Sequence, residues 1–248
     1  DSGSPLRAHL AVDTGMGRGG FLPADVPAAL EAIRALSSVR VTGLGSHLPA
    51  DDEASEFTHA QFNAFDTLVE SLPSRGELEF IHLANSAGLL GYRSRTTNLV
   101  RPGLLLYGVS PFGDEKTIFR TVMTLKSRIA VIREVPAGHG ISYGRTFLTT
   151  RPTRVGPIGI GYGDGYPRSL SNNSPEVFIR GRRVPLLARV TMDQVMADLT
   201  DPPRCLPGDE VELFGPNIPV SEIAHKAGTI PWEVFTSITP RVQRIYSK

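Results

Sequence analysis

The sequence predicts an α/β domain followed by a β-rich domain. Through the first ~110 residues, short apolar segments alternate with amphipathic segments of helical periodicity, which is typical of βα units. After Gly108 the chain changes to short segments that mix β-branched and polar residues, a pattern that favours strands. With 248 residues the chain can bury a large core. We expect a boundary near residues 110–113, which gives domains of residues 1–113 and 114–248.

The composition narrows the class of protein and its partners. Hydrophobic residues make up 40% of the chain and charged residues 21%, as in an ordinary globular protein. The formal net charge of +1 gives no electrostatic reason to expect nucleic acid or a membrane surface as a partner. No apolar run approaches the length needed to span a bilayer. The single Cys205 cannot form an internal disulfide, which fits the cytoplasm.

The first domain divides into four predicted βα units. Strands are predicted over residues 6–12, 39–44, 78–83 and 104–107. Two helices between them are indicated by apolar residues at helical spacing, namely Val26, Ala29, Leu30, Ile33 and Leu36, and then Phe62, Phe65, Leu68, Val69 and Leu72. Four such units are half of a (β/α)₈ barrel, which normally needs ~250 residues. An open half-barrel would expose unpaired strand edges, so we expect a complementary half of the barrel to exist.

The second domain is predicted from shorter signals. A long strand is indicated over residues 122–132 and another over residues 210–214. Residues 177–179 and 184–187 flank a Gly181-Arg182 turn, a pattern that predicts a hairpin. Only two short helices are indicated, over residues 220–226 and 232–236.

Two loops after predicted strands carry candidate binding residues. Residues 13–20 contain four glycines, which is typical of a tight turn and equally of a loop that holds Arg18 at the mouth of a barrel. Asn85 and Ser86 stand between a strand and a helix, where they can cap the helix and where free N–H groups can also bind a phosphate.

Other candidates have an ordinary structural interpretation beside the functional one. A lone histidine such as His47 is more often a hydrogen-bonded structural residue, a lone arginine such as Arg101 a surface residue, and Tyr143 beside a glycine a packing residue. The six histidines have no metal-ligand spacing, so no metal site is expected. The glycine-rich residues 159–168 lack the spacing of a dinucleotide-binding loop.

Four segments taken together resemble alanine racemase. They are Asp-Thr-Gly-Met-Gly-Arg at residues 13–18, His-Leu-Ala-Asn-Ser-Ala-Gly at residues 82–88, Ile-Ser-Tyr-Gly at residues 141–144 and Thr-Met-Asp-Gln at residues 191–194. The resemblance covers essentially the whole chain and makes it the second half of the barrel plus the C-terminal β-domain. It implies a pyridoxal 5'-phosphate (PLP) enzyme that interconverts L- and D-alanine by a two-base mechanism. It further implies a homodimer with shared active sites that supplies D-alanine for peptidoglycan.

The resemblance also implies roles for individual residues. Tyr143 is expected to be one of the two bases, linked through His47 to Arg101, which faces the pyridine nitrogen of PLP. Substrate contacts are expected from Arg18, Met192 and Tyr162. Cofactor contacts are expected from Arg18, Asn85, Ser86, Arg101, Gly103, Leu104 and Trp232, the last at a position where the family usually has a tyrosine.

Two departures from the family pattern lead to further expectations. The family bonds PLP covalently to a lysine in an N-terminal segment that no part of this sequence matches, and none of the four lysines has that context. We therefore expect this chain to lack the covalent anchor and to need a lysine-bearing half of the barrel as a partner. Ala11 stands where the family often has a carbamylated lysine that bonds the arginine of the glycine-rich loop. A racemase of broader specificity that acts on serine and a catalytically inactive fragment or dimerisation module remain as alternatives.

Overall fold

A computed structural model describes residues 3–53, 55–113, 119–201 and 204–246. The chain divides into two compact units, Asp1–Phe119 and Arg120–Lys248. The predicted boundary after residue 113 falls next to residues 114–118, which lie outside the described residues, so it remains a prediction. No helix in the described ranges combines the length and the apolar character that crossing a bilayer requires.

The first unit contains a three-stranded parallel sheet in the order β1-β2-β3. Its strands are β1 (Leu6–Ala11), β2 (Val39–Gly45) and β3 (Phe80–His82). Helix α1 (Val26–Arg34) connects β1 to β2, helix α2 (Ser55–Ser71) connects β2 to β3, and α3 (Ser86–Gly91) follows β3. Three of the four predicted strands are thereby confirmed, together with both predicted helices.

The fourth predicted strand is wrong. Leu104–Tyr107 is a 3₁₀ turn, and the N–H of Gly108, at φ 76°, closes it on the carbonyl of Leu105. Pro102, just before the turn, has no N–H to give to a sheet. The segment beside β3 is instead held by a parallel bridge between His82 and Leu99.

The core of the first unit lies between the sheet and its helices. All five residues predicted to face inward from the second helix are buried, four of them in α2 and Leu72 just after its last residue, and Phe65 is fully enclosed. Val26 and Leu30 of α1 are buried as well. Leu36, predicted on the same stripe, is 52% exposed, because α1 ends at Arg34 and the helical spacing no longer points that side chain inward.

The second unit is built on a seven-stranded antiparallel sheet in the order β4-β12-β9-β10-β11-β8-β5. Its strands are β4 (Leu125–Arg128), β5 (Arg133–Val135), β8 (Thr153–Ile158), β9 (Glu176–Ile179), β10 (Arg182–Leu187), β11 (Val195–Asp198) and β12 (Glu210–Phe214). A small separate pair consists of β6 (Gly140–Ile141) and β7 (Phe147–Leu148). Helices α4 (Val220–Ala227) and α5 (Pro231–Ser237) end the unit and confirm the two predicted short helices.

The predicted hairpin and the predicted long strand differ in detail from the structure. Ile179 pairs with Arg182, so the turn is Arg180-Gly181, one residue earlier than expected. Both turn residues have positive φ, 46° and 82°, which suits the twist of a two-residue hairpin. The strand predicted over residues 122–132 is shorter, because β4 covers Leu125–Arg128 alone and β5 begins at Arg133.

Candidate active site

Polar side chains gather where the three parallel strands of the first unit end. Because the carboxyl ends of parallel strands meet at one edge of the sheet, the loops that follow β1, β2 and β3 come together there. They surround a cavity of about 360 Å³. Its polar lining includes His9, Asp13, Arg18, His47, His82 and Arg101.

Arg101 is held by neutral acceptors. Its Nη2 donates to the carbonyl of Ser46 at 2.8 Å and to Nδ1 of His47 at 3.1 Å. Its Nη1 makes a short hydrogen bond to Nδ1 of His82. Because a guanidinium only donates, both imidazoles must accept at Nδ1, and each neutral ring therefore carries its hydrogen on Nε2.

The electrostatics keep these imidazoles uncharged. Burial lowers the pKa of His82 to about 4, and the neighbouring Arg101 and His9 act in the same direction. The pKa of His47 is lowered by burial first and then by Arg101 and Arg18. Burial also lowers the pKa of Arg101, with a further contribution from Arg18. Among the described residues no carboxylate forms an ion pair with Arg101. The lining holds two arginines, Arg18 and Arg101, against the single carboxylate of Asp13, so the cavity carries a net positive charge.

The one carboxylate in the polar lining named above is already engaged by its own loop. Asp13 Oδ1 accepts from the N–H groups of Gly15 at 2.9 Å, Met16 at 2.8 Å and Gly17 at 3.1 Å. These bonds, with that from Gly15 the strongest, lower the pKa of Asp13. Gly15 and Gly17 have φ of 137° and 69°, so this wrap favours glycine at both positions. Asp13 therefore shapes the loop that carries Arg18.

No side chain in the described part of the chain hydrogen-bonds or ion-pairs with Arg18. Ala11, which also lines the cavity, ends in a methyl group that cannot bond a guanidinium. The loop holds the backbone of Arg18 in place, whereas its side chain stays available for an anion.

Asn85 and Ser86 are arranged at the start of α3. Asn85 Oδ1 caps the helix by accepting from the N–H of Gly88 at 3.0 Å, and its Nδ2 donates to Asp51 Oδ1 at 3.2 Å. The buried hydroxyl of Ser86 accepts from the N–H of Leu105 at 3.3 Å. The loop after β3 and the turn that follows Arg101 are thus tied together.

Gly103 and Leu104 lie in that same turn. A side chain at Gly103 would meet open space, and Leu104 is 1% exposed. It is the N–H of Leu105 that meets Ser86, so the predicted contacts of Gly103 and Leu104 with a phosphate remain predictions.

In the second unit, Tyr143 lies on a strained loop between β6 and β7. Ser142, Gly144 and Arg145 have φ of 57°, 74° and 48°, a backbone region that side chains other than glycine adopt at a cost. Ser142 Oγ donates to the carbonyl of Arg189 at 3.0 Å, and the Arg189 guanidinium lies against Gly144. The Tyr143 side chain is 72% exposed, so its phenol is accessible.

Tyr162 and Met192 are brought together on this unit. The N–H of Tyr162 donates to the carbonyl of Thr191 at 3.0 Å, and that of Gly163 donates to the carbonyl of Met192 at 2.9 Å. A Cβ at Gly161 would lie 2.2 Å from the Thr191 carbonyl oxygen, so the close approach of these two segments requires glycine. Both side chains are exposed, Tyr162 at 40% and Met192 at 51%.

Trp232 is the remaining predicted residue of this unit. It lies in the first turn of α5, and its side chain is 39% exposed. Its predicted role at a phosphate remains a prediction.

Two histidines at this site, His82 and His9, were not predicted from the sequence. His82 stood out only as the first residue of a motif, although it contacts Arg101 directly. His9 contacts His82 at 2.8 Å. The sequence did contain a signal for His9. It lies two residues before Ala11 on the same strand, so both side chains are on the face of the sheet that carries Arg18.

Comparison with known proteins identifies the class. A family model described as the N-terminal domain of alanine racemase matches residues 1–111, and one described as its C-terminal domain matches residues 122–246. The alanine racemase of Halothermothrix orenii is 38% identical over 97% of this chain and 65% of its own length. That of Pseudomonas taetrolens is 40% identical over 98% of this chain and 67% of its own length.

Solved structures agree with the sequence comparison. Alanine racemase from Streptomyces lavendulae matches 99% of this chain and 67% of its own with a TM-score of 0.90 at 35% identity. The alanine racemase from Bartonella henselae, solved with covalently bound pyridoxal phosphate, matches 97% and 66% with a TM-score of 0.86 at 32% identity. The chain thus spans about two thirds of the length of these relatives. Fold and sequence together define the class as one in which an α/β domain, matched by the N-terminal family model, precedes a β-rich C-terminal domain. The chain belongs to the alanine racemase family.

Proposed function

We propose that this chain carries the substrate pocket and one of the two bases of a PLP-dependent alanine racemase. The observation that carries the proposal is a half-buried guanidinium, that of Arg101, held by neutral imidazoles in a positively charged cavity at the carboxyl ends of parallel strands. That cavity suits a ligand with anionic groups and a basic ring nitrogen.

The chemistry of the donor set fits PLP. When bound, PLP withdraws electrons from the α-carbon of an amino acid and makes its hydrogen acidic. Arg101 would face the ring nitrogen, and a guanidinium does not hand over its proton at neutral pH. Arg101 would thereby leave that nitrogen unprotonated, which would limit delocalisation of negative charge from the α-carbon and favour the return of a proton to it. Ser86 and the adjoining turn would hold the phosphate, and Arg18 a carboxylate or phenolic oxygen.

Tyr143 would move the proton on one face of the α-carbon. Its side chain is highly exposed, and its loop is held in place by the contact of Ser142 with Arg189. Both features support a phenol that is accessible to a second subunit, as in a homodimer with shared active sites. Tyr162 and Met192, adjacent on the same unit, would form the wall of the substrate passage. The assembly would work in the cytoplasm and supply D-alanine for peptidoglycan.

The second base would be a lysine. Neither of the two described lysines lines the cavity. Lys126 pairs with Glu210 and Lys226 with Glu222, all in the second unit. We therefore propose that the lysine which bonds PLP comes from a further barrel segment, outside these 248 residues.

Isotope exchange tests the proposal. The PLP-loaded full-length protein is incubated with L- or D-alanine in D₂O, and loss of the α-hydrogen and inversion are followed by NMR. Tyr143→Phe should slow inversion by roughly 10²-fold or more, the usual contribution of a general acid–base group, and should suppress exchange for one enantiomer more than for the other.

A matched control is Tyr246→Phe, because that phenol is 89% exposed and outside the proposed site. Undiminished inversion of both enantiomers in the Tyr143→Phe variant would contradict the proposal. Faster turnover of serine than of alanine would make the protein a serine racemase instead, and the absence of any exchange would favour a non-catalytic module.

A further inference from the structure

Two imidazoles of the first unit meet across a strand that separates them. His9 lies on β1 and His82 on β3, and β2 runs between the two strands. Nonetheless Nδ1 of His9 is 2.8 Å from Nε2 of His82, and the ring centroids are 5.0 Å apart. Both side chains must therefore lie flat over the middle strand.

The middle strand makes this possible because it has no side chains there. In the register of the sheet, Gly43 is the partner of His9 and Gly45 the partner of His82. A Cβ at Gly43 would lie 2.6 Å from Cδ2 of His9, and one at Gly45 would lie 2.0 Å from Cε1 of His82. Neither glycine has a positive φ, so backbone freedom does not explain them, whereas room for the two rings does.

The hydrogen bonds run in one direction. Arg101 can only donate, so His82 accepts at Nδ1 and carries its hydrogen on Nε2. That hydrogen can be given only to a lone pair, so Nδ1 of His9 is the acceptor and a neutral His9 carries its hydrogen on Nε2. The chain from Arg101 through His82 to His9 thus fixes the tautomer of both rings.

We propose that His9 is a positioning residue for Arg101. By accepting from His82, it holds that ring in the one tautomer and orientation that can receive the guanidinium. Without this acceptor, His82 is free to carry its hydrogen on Nδ1. That N–H would point at the N–H groups of Arg101, and two donors cannot form a hydrogen bond. This deepens the proposed function and rests on it only in the assignment of PLP as the molecule that Arg101 faces.

The test measures the tautomer directly. In the full-length protein labelled with ¹⁵N-histidine, long-range ¹H–¹⁵N spectra at neutral pH should show His82 with its hydrogen on Nε2, the signal being assigned by its loss in His82→Asn. His9→Leu should give a mixture of tautomers at His82 and weaken PLP binding about 2- to 10-fold, the effect of one lost hydrogen bond. His9→Asn, whose amide oxygen can stand where Nδ1 stands, should restore both.

The control variant is His139→Leu, which removes an exposed histidine of the second unit. It should change neither the tautomer of His82 nor the affinity for PLP. Three results would overturn the proposal: a hydrogen on Nδ1 of His82 in the unsubstituted protein, an unchanged tautomer in His9→Leu, or a His9→Asn variant that behaves like His9→Leu. Should His9→Leu fail to fold, His9→Gln, whose longer side chain displaces the acceptor, gives the same comparison with His9→Asn.

Failure of this proposal can be told from failure of the proposed function. The tautomer is read without cofactor or substrate, so it is independent of racemase activity. Absence of alanine racemisation by the unsubstituted protein would reject the function and leave the tautomer result standing.

Discussion

Acidification should destabilise this protein through His82. The folded structure lowers the pKa of His82 from 6.5 to about 4, by burial first and then by Arg101 and His9. Between these two pH values the unfolded imidazole binds a proton and the folded one does not. The free energy of unfolding should therefore fall as the pH falls from 6.5 toward 4, with the full contribution of His82 present above pH 6.5.

The size of the effect follows from the same two values. The difference between 6.5 and about 4 corresponds to at most about 3 kcal/mol of unfolding free energy. His82 is only partly buried, so solvent screening makes this an upper limit. Even half of it is a large share of the total, because a typical domain is stable by about 5–15 kcal/mol.

The assay is urea unfolding at several pH values between 7.5 and 4, with His82→Asn beside the unsubstituted protein. The asparagine oxygen can accept from Arg101 but does not titrate, so the difference between the two pH curves isolates His82. The unsubstituted protein should lose more stability on acidification than the variant, by up to about 3 kcal/mol. His225→Asn, on the exposed side of α4, should keep the steeper curve. Parallel curves for His82→Asn and the unsubstituted protein would refute the reasoning.

Three further substitutions test the packing that supports the site, each by the urea midpoint. Gly45→Ala should cost about 1–3 kcal/mol because its Cβ would overlap the His82 ring, whereas Gly76→Ala, with open space around it, should stay within about 0.5 kcal/mol; equal midpoints would contradict this. Asn85→Ala should cost about 1 kcal/mol through the lost cap of α3, and a neutral result would show that the cap is dispensable. Phe65→Ala should cost about 3–5 kcal/mol because the ring is fully enclosed, and a loss below about 1 kcal/mol would mean that the core collapses around the gap.

Elements with a long or paired signal could be predicted from sequence. The apolar stripe of α2 continues over several turns, and every predicted residue on it is buried. The hairpin of β9 and β10 was found because two alternating segments flank a glycine turn, and its error of one residue reflects how little separates neighbouring turn registers.

Short apolar runs do not predict their secondary structure in the same way. Leu104–Tyr107 has the composition of a buried strand, but four residues carry no measurable period, and the local backbone decided the outcome. Pro102 cannot donate to a sheet and Gly108 readily takes a positive φ, so the run closes into a turn. Both residues can be read from the sequence, and they determine the conformation of the run more strongly than its apolar composition does.

The candidate site could be predicted only in part. The resemblance to a known family is why His47 and Arg101 were expected near each other, and the convergence of loops after successive parallel strands is the property of the fold that brings them together. The contact of His9 with His82 depends instead on the register of three strands, since a shift of one residue would turn the glycines of β2 away from the rings. No local pattern specifies that register.

The way Arg101 is held has a consequence for ligand binding. A carboxylate partner would have stabilised the half-buried guanidinium and cancelled its charge. Carbonyl oxygens and neutral imidazoles satisfy its N–H groups and leave the charge in place, and the partial removal of that charge from water lowers the stability of the fold. A bound ligand with anionic groups would offset this loss of stability. The free energy of unfolding of the first unit should therefore rise with the ligand concentration, by RT ln(1 + [L]/Kd). The neutral state of His82 favours this arrangement, because a charged imidazole beside Arg101 would add to the repulsion that Arg18 already exerts on it.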